Sequence, residues 1–134
     1  QLHNGYVEAT FKTGNCSGND IYGIVLRAPD YESGRGYYLQ LTCDGQYNLS
    51  VWKDSGLDAL QEWTTSSAIL AGSNQTNRLG AWITGNQWKL YVNGVLIKEI
   101  SDGSLTNMGH IGFFIIANQT PDFTIYVDEI ATWE

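Results

Sequence analysis

Short runs rich in Val, Ile, Thr and aromatic residues recur along this chain, separated by Gly, Asn, Asp and Ser at intervals of about ten residues. β-branched and aromatic side chains suit a pleated sheet, and the separating residues tolerate tight turns. The pattern predicts an all-β fold, either a sandwich or a barrel. The predicted strands are residues 6–11, 21–27, 36–42, 46–53, 78–84, 87–92, 95–100, 110–117 and 123–133. Residues 54–75 are less regular and are predicted to be a connection with at most one short strand.

Two dipeptides, Asp44-Gly45 and Asn93-Gly94, mark hairpin turns between predicted strands. Asn93 and Gly94 tolerate the positive φ that a two-residue hairpin requires. Successive side chains of a strand point to opposite faces, so alternation separates core rows from outward rows. The rows predicted to form the core are Tyr47, Leu49 and Val51; Leu79, Ala81 and Ile83; Trp88, Leu90 and Val92; and Phe123, Ile125 and Val127.

The outward rows carry aromatic rings as well as polar side chains. Rings are expected outside at Trp52, Trp82, Tyr91, Phe114 and Tyr126. This is more ring surface than contact with water favours, so something should cover it. A sugar would fit, because rings pack on its C–H faces while Arg, Gln and Asn bond its hydroxyls. Loops, a sheet edge or a neighbouring subunit would cover the rings equally well.

Length and charge exclude several classes of function. The 134 residues match one domain, so residues 1–134 are expected to enclose a single core. Seven basic against fourteen acidic residues give a net charge of −7, which disfavours nucleic-acid binding. The longest apolar run falls well short of the roughly 20 residues that a membrane helix needs. The chain opens on Gln1 without an initiator Met, which indicates a processed or excised piece.

The two cysteines, Cys16 and Cys43, both lie at the ends of predicted elements. If they pair, closing the loop would stabilise the fold by about 3.5 kcal/mol on the chain-entropy account. Two buried free thiols are the alternative. Asn-X-Ser/Thr sequons, which permit glycosylation, occur at Asn15, Asn48, Asn74 and Asn118. Together with the low Lys content, these features favour an exported protein at the cell surface or outside the cell.

The sequence gives little support to catalysis. A retaining glycosidase needs two carboxylates about 5 Å apart, and the chain lacks the Glu-X-Asp-X-Glu triplet with which a strand can supply them. His3 lies at the terminus and His110 beside Gly109 at a turn, so neither is predicted to act as a general base, and a Gly-X-Ser-X-Gly motif is absent. We predict no cofactor and no metal. Acidic residues at turns leave calcium as an alternative, although none has EF-hand spacing. They are Asp20, Asp30, Asp44, Asp54, Asp58 and Asp102.

Several short motifs mark strands, turns and hairpins over about residues 6–133. They are residues 22–27 (YGIVLR), 37–41 (YYLQL), 43–47 (CDGQY), 77–79 (NRL), 90–94 (LYVNG), 109–112 (GHIG) and 127–130 (VDEI). These motifs resemble those of the concanavalin A-like lectin/glucanase superfamily and, more closely, those of the laminin G-like and 3-keto-disaccharide hydrolase-like jelly-roll domains of exported bacterial proteins. The resemblance implies a jelly-roll fold, an antiparallel β-sandwich of two sheets, more specifically than any activity.

The resemblance also implies positions for ligand contacts. In the related sugar-acting domains, an Arg at the end of one strand and a Gln on the next face a concave groove. The matching positions in this chain are Arg27 and Gln40, and Tyr38 is in the same row as Gln40. The chain departs from the family in lacking the acidic triplet. It also has only five residues before Tyr6, where relatives have one or two more strands, so either an upstream segment or a strand-donating neighbour should cover an open edge.

We therefore predict a non-catalytic, extracellular carbohydrate-binding or adhesion module whose partner is a glycan. The alternative is a structural subunit of a surface layer or filament, a homo-oligomer that uses the same aromatic face as a protein interface. A glycosidase relative with other carboxylates is a third interpretation. Stacking rings and orienting polar groups would together form one ligand surface. Its predicted members are Arg27, Tyr38, Gln40, Trp52, Trp82 and Tyr126.

Overall fold

In the computed structural model, which describes residues 4–30, 32–53, 56–105 and 109–133, all regular structure is β. The predicted antiparallel sandwich is confirmed. Ten strands follow one another within these described residues. They are β1 (Gly5–Thr13), β2 (Ile21–Ala28), β3 (Gly36–Thr42), β4 (Gln46–Lys53), β5 (Gly56–Thr65), β6 (Thr76–Thr84), β7 (Gln87–Val92), β8 (Val95–Ser101), β9 (His110–Ile116) and β10 (Ile125–Trp133).

The strands form two five-stranded sheets. Sheet I has the order β10-β1-β6-β7-β8, and sheet II has the order β5-β4-β3-β2-β9. All eight strand pairs are antiparallel. The chain crosses between the sheets four times, after β1, β5, β8 and β9. Strands distant in sequence therefore become neighbours, as β2 and β9 do.

The inner faces of both sheets close on one apolar core. Three of the predicted core rows, in β4, β6 and β7, are confirmed, with every member at most 5% exposed. In the fourth row, Phe123 is buried but Val127 is 42% exposed. Val127 faces inward from β10, the edge strand of sheet I, where less of the opposite sheet covers it.

The regular strand β5 was missed by the sequence prediction. It pairs with β4 along its length, but the register shifts twice, between Tyr47 and Leu49 and between Leu49 and Ser50. Each bulge moves the following side chains to the other face. The alternation by which a strand is recognised is therefore lost within Gly56–Thr65.

Both predicted hairpin turns are confirmed. Asn93 and Gly94 have φ values of 52° and 81°, the pair of positive angles that a type I′ hairpin needs. Gly45 has φ 92° and donates its N–H to the Thr42 carbonyl, which closes the turn between β3 and β4.

The predicted disulfide is also present. Cys16 and Cys43 are bonded, with their Cα atoms 5.6 Å apart. The bond joins the β1–β2 loop to the β3–β4 turn. Two backbone hydrogen bonds fasten the same two segments, from Cys43 N to Asp20 O (3.0 Å) and from Asp44 N to Gly18 O (2.9 Å).

One side of the sandwich is open. Among the described residues, β9 pairs with β2 alone and β10 with β1 alone, so each has a free edge. Four apolar side chains there point inward by alternation yet are 42% to 52% exposed. We call them the open flank: Phe113, Ile115, Val127 and Ile130.

Candidate functional site

The outer face of sheet II carries one row of side chains from each of its strands. Val25 in β2 lies opposite Tyr38 in β3 on one side and Gly112 in β9 on the other. Tyr38 in turn lies opposite Ser50 in β4. Because alternation places these four residues on the same side, they form one line across the sheet.

A hollow of about 240 Å³ lies at the β9 side of this line. Val25 and Gly112 are at its base, and a side chain on Gly112 would meet no atom within 4 Å. Tyr38 and Phe114 line it with rings whose centroids are 5.2 Å apart at 68°. The missing side chain of Gly112 therefore leaves room beside two aromatic rings.

The β2–β3 loop forms the polar rim of the hollow. Asp30 Oδ1 accepts the backbone N–H groups of Glu32 (2.9 Å) and Ser33 (2.7 Å), which curls the loop. These hydrogen bonds lower the pKa of Asp30 to about 2, so it is ionised at neutral pH. Arg35 Nη2 lies 3.5 Å from Asp30 Oδ2, and Tyr38 Oη donates to the Gly34 carbonyl (2.6 Å). A carboxylate and a guanidinium thus stand beside the rings.

A polar strip continues the face towards β4. Gln40 Nε2 and Ser50 Oγ both donate to Asn48 Oδ1, at 2.9 and 2.6 Å. The three side chains are 2% to 7% exposed, so they brace the face more than they line its surface. Trp52, 40% exposed, stands in the next row of β4, opposite Gly36. Tyr38, Gln40 and Trp52 are therefore on one face, as predicted.

Arg27 does not lie on the outer face of sheet II, which corrects the groove position that the resemblance implied. It has a φ of 53° at an irregularity in the β2–β9 pairing, and its side chain turns inward. Nη1 donates to the Leu105 carbonyl (3.1 Å), and Cζ lies 5.7 Å from the ring centroid of Trp88, a core residue of sheet I. At 2% exposure, Arg27 is a buried core residue, and burial lowers its pKa.

Trp82 and Tyr126 also lie elsewhere. Trp82 is in β6 and Tyr126 in β10, so both project from the outer face of sheet I. The six predicted residues therefore do not form one surface. Three are on sheet II, two on sheet I and one in the interior, because alternation within a strand does not say to which sheet the strand belongs.

The sequence prediction missed most of the residues that line the hollow. Phe114 was expected outside but not grouped with Tyr38, and Val25, Asp30, Arg35 and Gly112 were not selected. The turn-forming segment Asp30 to Arg35 was a usable signal, because Asp, Ser and Gly there predict a tight loop after β2. The pairing of β2 with β9 leaves no local signal in the sequence.

Among residues 4–30, 32–53, 56–105 and 109–133, no three His, Cys, Asp or Glu side chains are grouped as metal ligands would be. No helix in that part of the chain is long and apolar enough to cross a membrane.

Known structures share this architecture. The carbohydrate-binding module CBM66 from Bacillus subtilis has a TM-score of 0.68 at 15% identity, over 97% of this chain and 76% of that one. A tetrameric galectin from the ball sponge Cinachyrella sp. has a TM-score of 0.69 at 12% identity, over 99% and 94% of the two chains. Caenorhabditis elegans galectin LEC-6 has a TM-score of 0.68 at 13% identity, over 98% and 84%.

No protein-family model and no curated protein match the sequence. At these identities the likeness concerns the fold. The chain has the jelly-roll fold of the concanavalin A-like lectins, as its motifs predicted.

Proposed function

We propose that this protein is a non-catalytic, extracellular carbohydrate-binding module that holds a glycan in the hollow of sheet II without a cofactor. The observation that carries the proposal is the pair of rings, Tyr38 and Phe114, beside the Asp30–Arg35 ion pair. A sugar has apolar C–H faces and polar hydroxyl edges, and this arrangement offers a surface for each. The neighbours named as a carbohydrate-binding module and galectins support the same class of ligand.

The parts of the site have separate roles in this proposal. The rings pack against the C–H face of one sugar residue, which leaves its hydroxyls at the rim. Asp30 accepts and Arg35 donates hydrogen bonds to those hydroxyls, and charged partners make such bonds stronger than neutral ones do. Trp52 stacks on a further sugar towards β5. The buried Gln40–Asn48–Ser50 hydrogen bonds keep the sheet surface beside Tyr38 rigid.

A binding role fits this site better than hydrolysis does. Glycoside hydrolysis needs two carboxyl groups across the scissile bond, one of them protonated. Among the described residues that line the hollow, Asp30 supplies the single carboxyl group, and its pKa of about 2 keeps it ionised. The disulfide between Cys16 and Cys43 is compatible with the extracellular location proposed.

The substitution Gly112→Leu tests the proposal. A side chain at this position meets open space, so the variant should fold while its leucine fills the hollow. We expect glycans that bind the wild type on an array to bind the variant at least about tenfold more weakly, by calorimetry, because the sugar loses its contact with both rings. Thr76→Leu, which adds the same side chain to an exposed position of sheet I, is the matched control.

Unchanged affinity of Gly112→Leu would place the binding site outside the hollow. An absence of binding by the wild type to any glycan, in an array that covers plant, microbial and animal sugars, would contradict the proposed function itself.

The open flank favours a second candidate function, that of an assembly subunit. Free strand edges and half-exposed inward apolar side chains can accept an extended segment from a neighbouring chain. Light scattering of the wild type and of an Ile115→Lys/Val127→Lys variant separates the two functions. An oligomer that the double variant abolishes supports assembly, and a monomeric wild type counts against it.

A further inference from the structure

The outer face of sheet I carries a second group of aromatic rings. Tyr6 in β1 lies directly opposite Trp133 in β10 and Trp82 in β6. Its ring centroid is 5.5 Å from that of Trp133 and 6.5 Å from that of Trp82. The two tryptophans are 54% and 46% exposed. We call these rings the Trp133–Tyr6–Trp82 row; its ends are two strand spacings apart, about 10 Å.

The central ring of this row is held in place. A side chain on Gly80 would collide with the Tyr6 hydroxyl, so the tyrosine reaches across the space that this glycine leaves. The Tyr6 ring meets Tyr91 edge-on, with centroids 5.9 Å apart. Tyr6 Oη donates to Glu8 Oε2 (2.7 Å), and Glu8 Oε1 lies 3.7 Å from Arg78 Nη1. A ring fixed before a ligand arrives loses little conformational entropy on binding.

The geometry of the row indicates the class of ligand. Neighbouring rings are tilted by 40° and 36°, so the row is a twisted strip. A flat crystalline surface would need coplanar rings, whereas a single chain of sugar rings can turn along its length to follow the strip. Glu8 and Arg78 beside the row offer an acceptor and a donor for sugar hydroxyls.

We propose that the Trp133–Tyr6–Trp82 row is a second glycan-binding surface, which binds one soluble polysaccharide chain by stacking. The proposal rests on the proposed function, since it takes the ligand to be a carbohydrate. It adds a site on the sheet opposite the hollow, so that one molecule can hold two chains, or two parts of one chain, at the same time.

The test is native gel electrophoresis through gels that contain laminarin, xylan, hydroxyethylcellulose or galactomannan. We expect at least one of these soluble polysaccharides to retard the wild type. Trp82→Ala and Trp133→Ala should each weaken that binding about tenfold, because each removes one stacked ring. Gly80→Ala should weaken it less, since the new methyl group displaces the Tyr6 hydroxyl and leaves both tryptophans in place. The protein should not bind to cellulose crystals, because the tilted rings do not match a flat surface.

Tyr126→Ala is the matched control. Tyr126 is 59% exposed on the same sheet face but lies opposite Lys12, six residues from Tyr6 along β1, so its loss should not change retardation. Thermal unfolding checks that every variant folds, and protection of tryptophan fluorescence from acrylamide by the polysaccharide gives a second readout.

The outcomes separate this proposal from the proposed function. If Gly112→Leu abolishes retardation while Trp82→Ala, Trp133→Ala and Gly80→Ala leave it unchanged, the hollow is the binding site and the second surface is overturned. If the row variants lose binding and Gly112→Leu does not, the second surface binds the polysaccharide and the proposal that the hollow binds it is wrong. A wild type that none of the four polysaccharides retards, or an effect of Tyr126→Ala equal to that of Trp82→Ala, overturns the second surface.

Discussion

Asp20 is a fully buried carboxylate that joins two loops. Its Oδ1 accepts the backbone N–H groups of Asn118 (2.8 Å), Gln119 (2.7 Å) and Thr120 (3.2 Å) from the β9–β10 loop. Its Oδ2 accepts the N–H of Ser17 (3.2 Å) from its own loop. Burial raises the pKa of Asp20, but hydrogen bonds from Thr120, Gln119 and Ser17 outweigh it and lower the pKa to about 2.

We predict that Asp20→Asn lowers the free energy of unfolding at pH 7 by about 2 kcal/mol. A carboxyl group whose pKa falls on folding stabilises the folded state above its unfolded pKa, and this contribution is lost as the pH falls through the folded pKa. The difference between wild type and variant should therefore be full above pH 4 and shrink towards pH 2. Urea unfolding at pH 7, 4 and 2.5 measures this difference in the free energy of unfolding. A difference that does not change with pH would contradict the lowered pKa of Asp20.

Arg27 shows where prediction from single residues fails. The resemblance placed it in the groove, and strand alternation alone would also turn it away from the buried Leu26. A positive φ at a non-glycine residue has no signature in the sequence, yet here it reverses the direction of the side chain.

We predict that Arg27→Met keeps glycan affinity and lowers stability. Methionine fills similar space but leaves the Leu105 carbonyl without its donor and removes the cation from the Trp88 ring. Loss of a buried hydrogen bond and a cation–π contact should cost about 2 kcal/mol. Urea unfolding and calorimetry with the same glycan measure the two effects. Weaker binding at full stability would restore Arg27 to the ligand site.

At the scale of elements, local patterns predicted nine of the ten strands that the described residues form and both hairpins. The resemblance implied Gln40 with Tyr38 in its row, and alternation put Trp52 outside; the pairing of β3 with β4 brings all three onto one face. Phe114 could not be added to that face from the sequence. It comes from β9, whose pairing with β2 depends on how the sheets assemble over nearly ninety residues of chain.

The disulfide joins the β1–β2 loop to the β3–β4 turn, and its removal tests how much it stabilises the fold. Cys16→Ala/Cys43→Ala should lower the free energy of unfolding by about 3 kcal/mol, because the loop of 27 residues is no longer closed in the unfolded chain. Urea unfolding of the variant and of the reduced wild type should give the same midpoint. A loss below about 1 kcal/mol would contradict the chain-entropy account of this bond.

At the scale of the whole molecule, the centre of sheet II is better covered than its β9 edge. Ile24 in β2 is fully buried, whereas Ile115 in the neighbouring strand β9, opposite Tyr22, faces the same interior and is 52% exposed. The hydrophobic pattern of the sequence treats these residues alike, because it records which way a side chain points and not what lies opposite.

We predict that Ile24→Ala costs about 3 kcal/mol of stability and Ile115→Ala less than about 1 kcal/mol, since removing an exposed side chain leaves no cavity. Thermal or urea unfolding of the two variants measures the two losses of stability. Equal losses would mean that the open flank is covered in solution.

The Cys16–Cys43 bond and the hollow lie at opposite ends of β2 and β3. The bond adjoins Ile21 and Thr42, where these strands pair at one limit, while the rim of the hollow follows Ala28 and precedes Gly36. We therefore expect disulfide formation to change the stability of the fold without changing the geometry of the hollow. Protein made in a reducing host should unfold at a lower temperature and, while folded, should bind the glycan of the proposed function with the same affinity as the oxidised form.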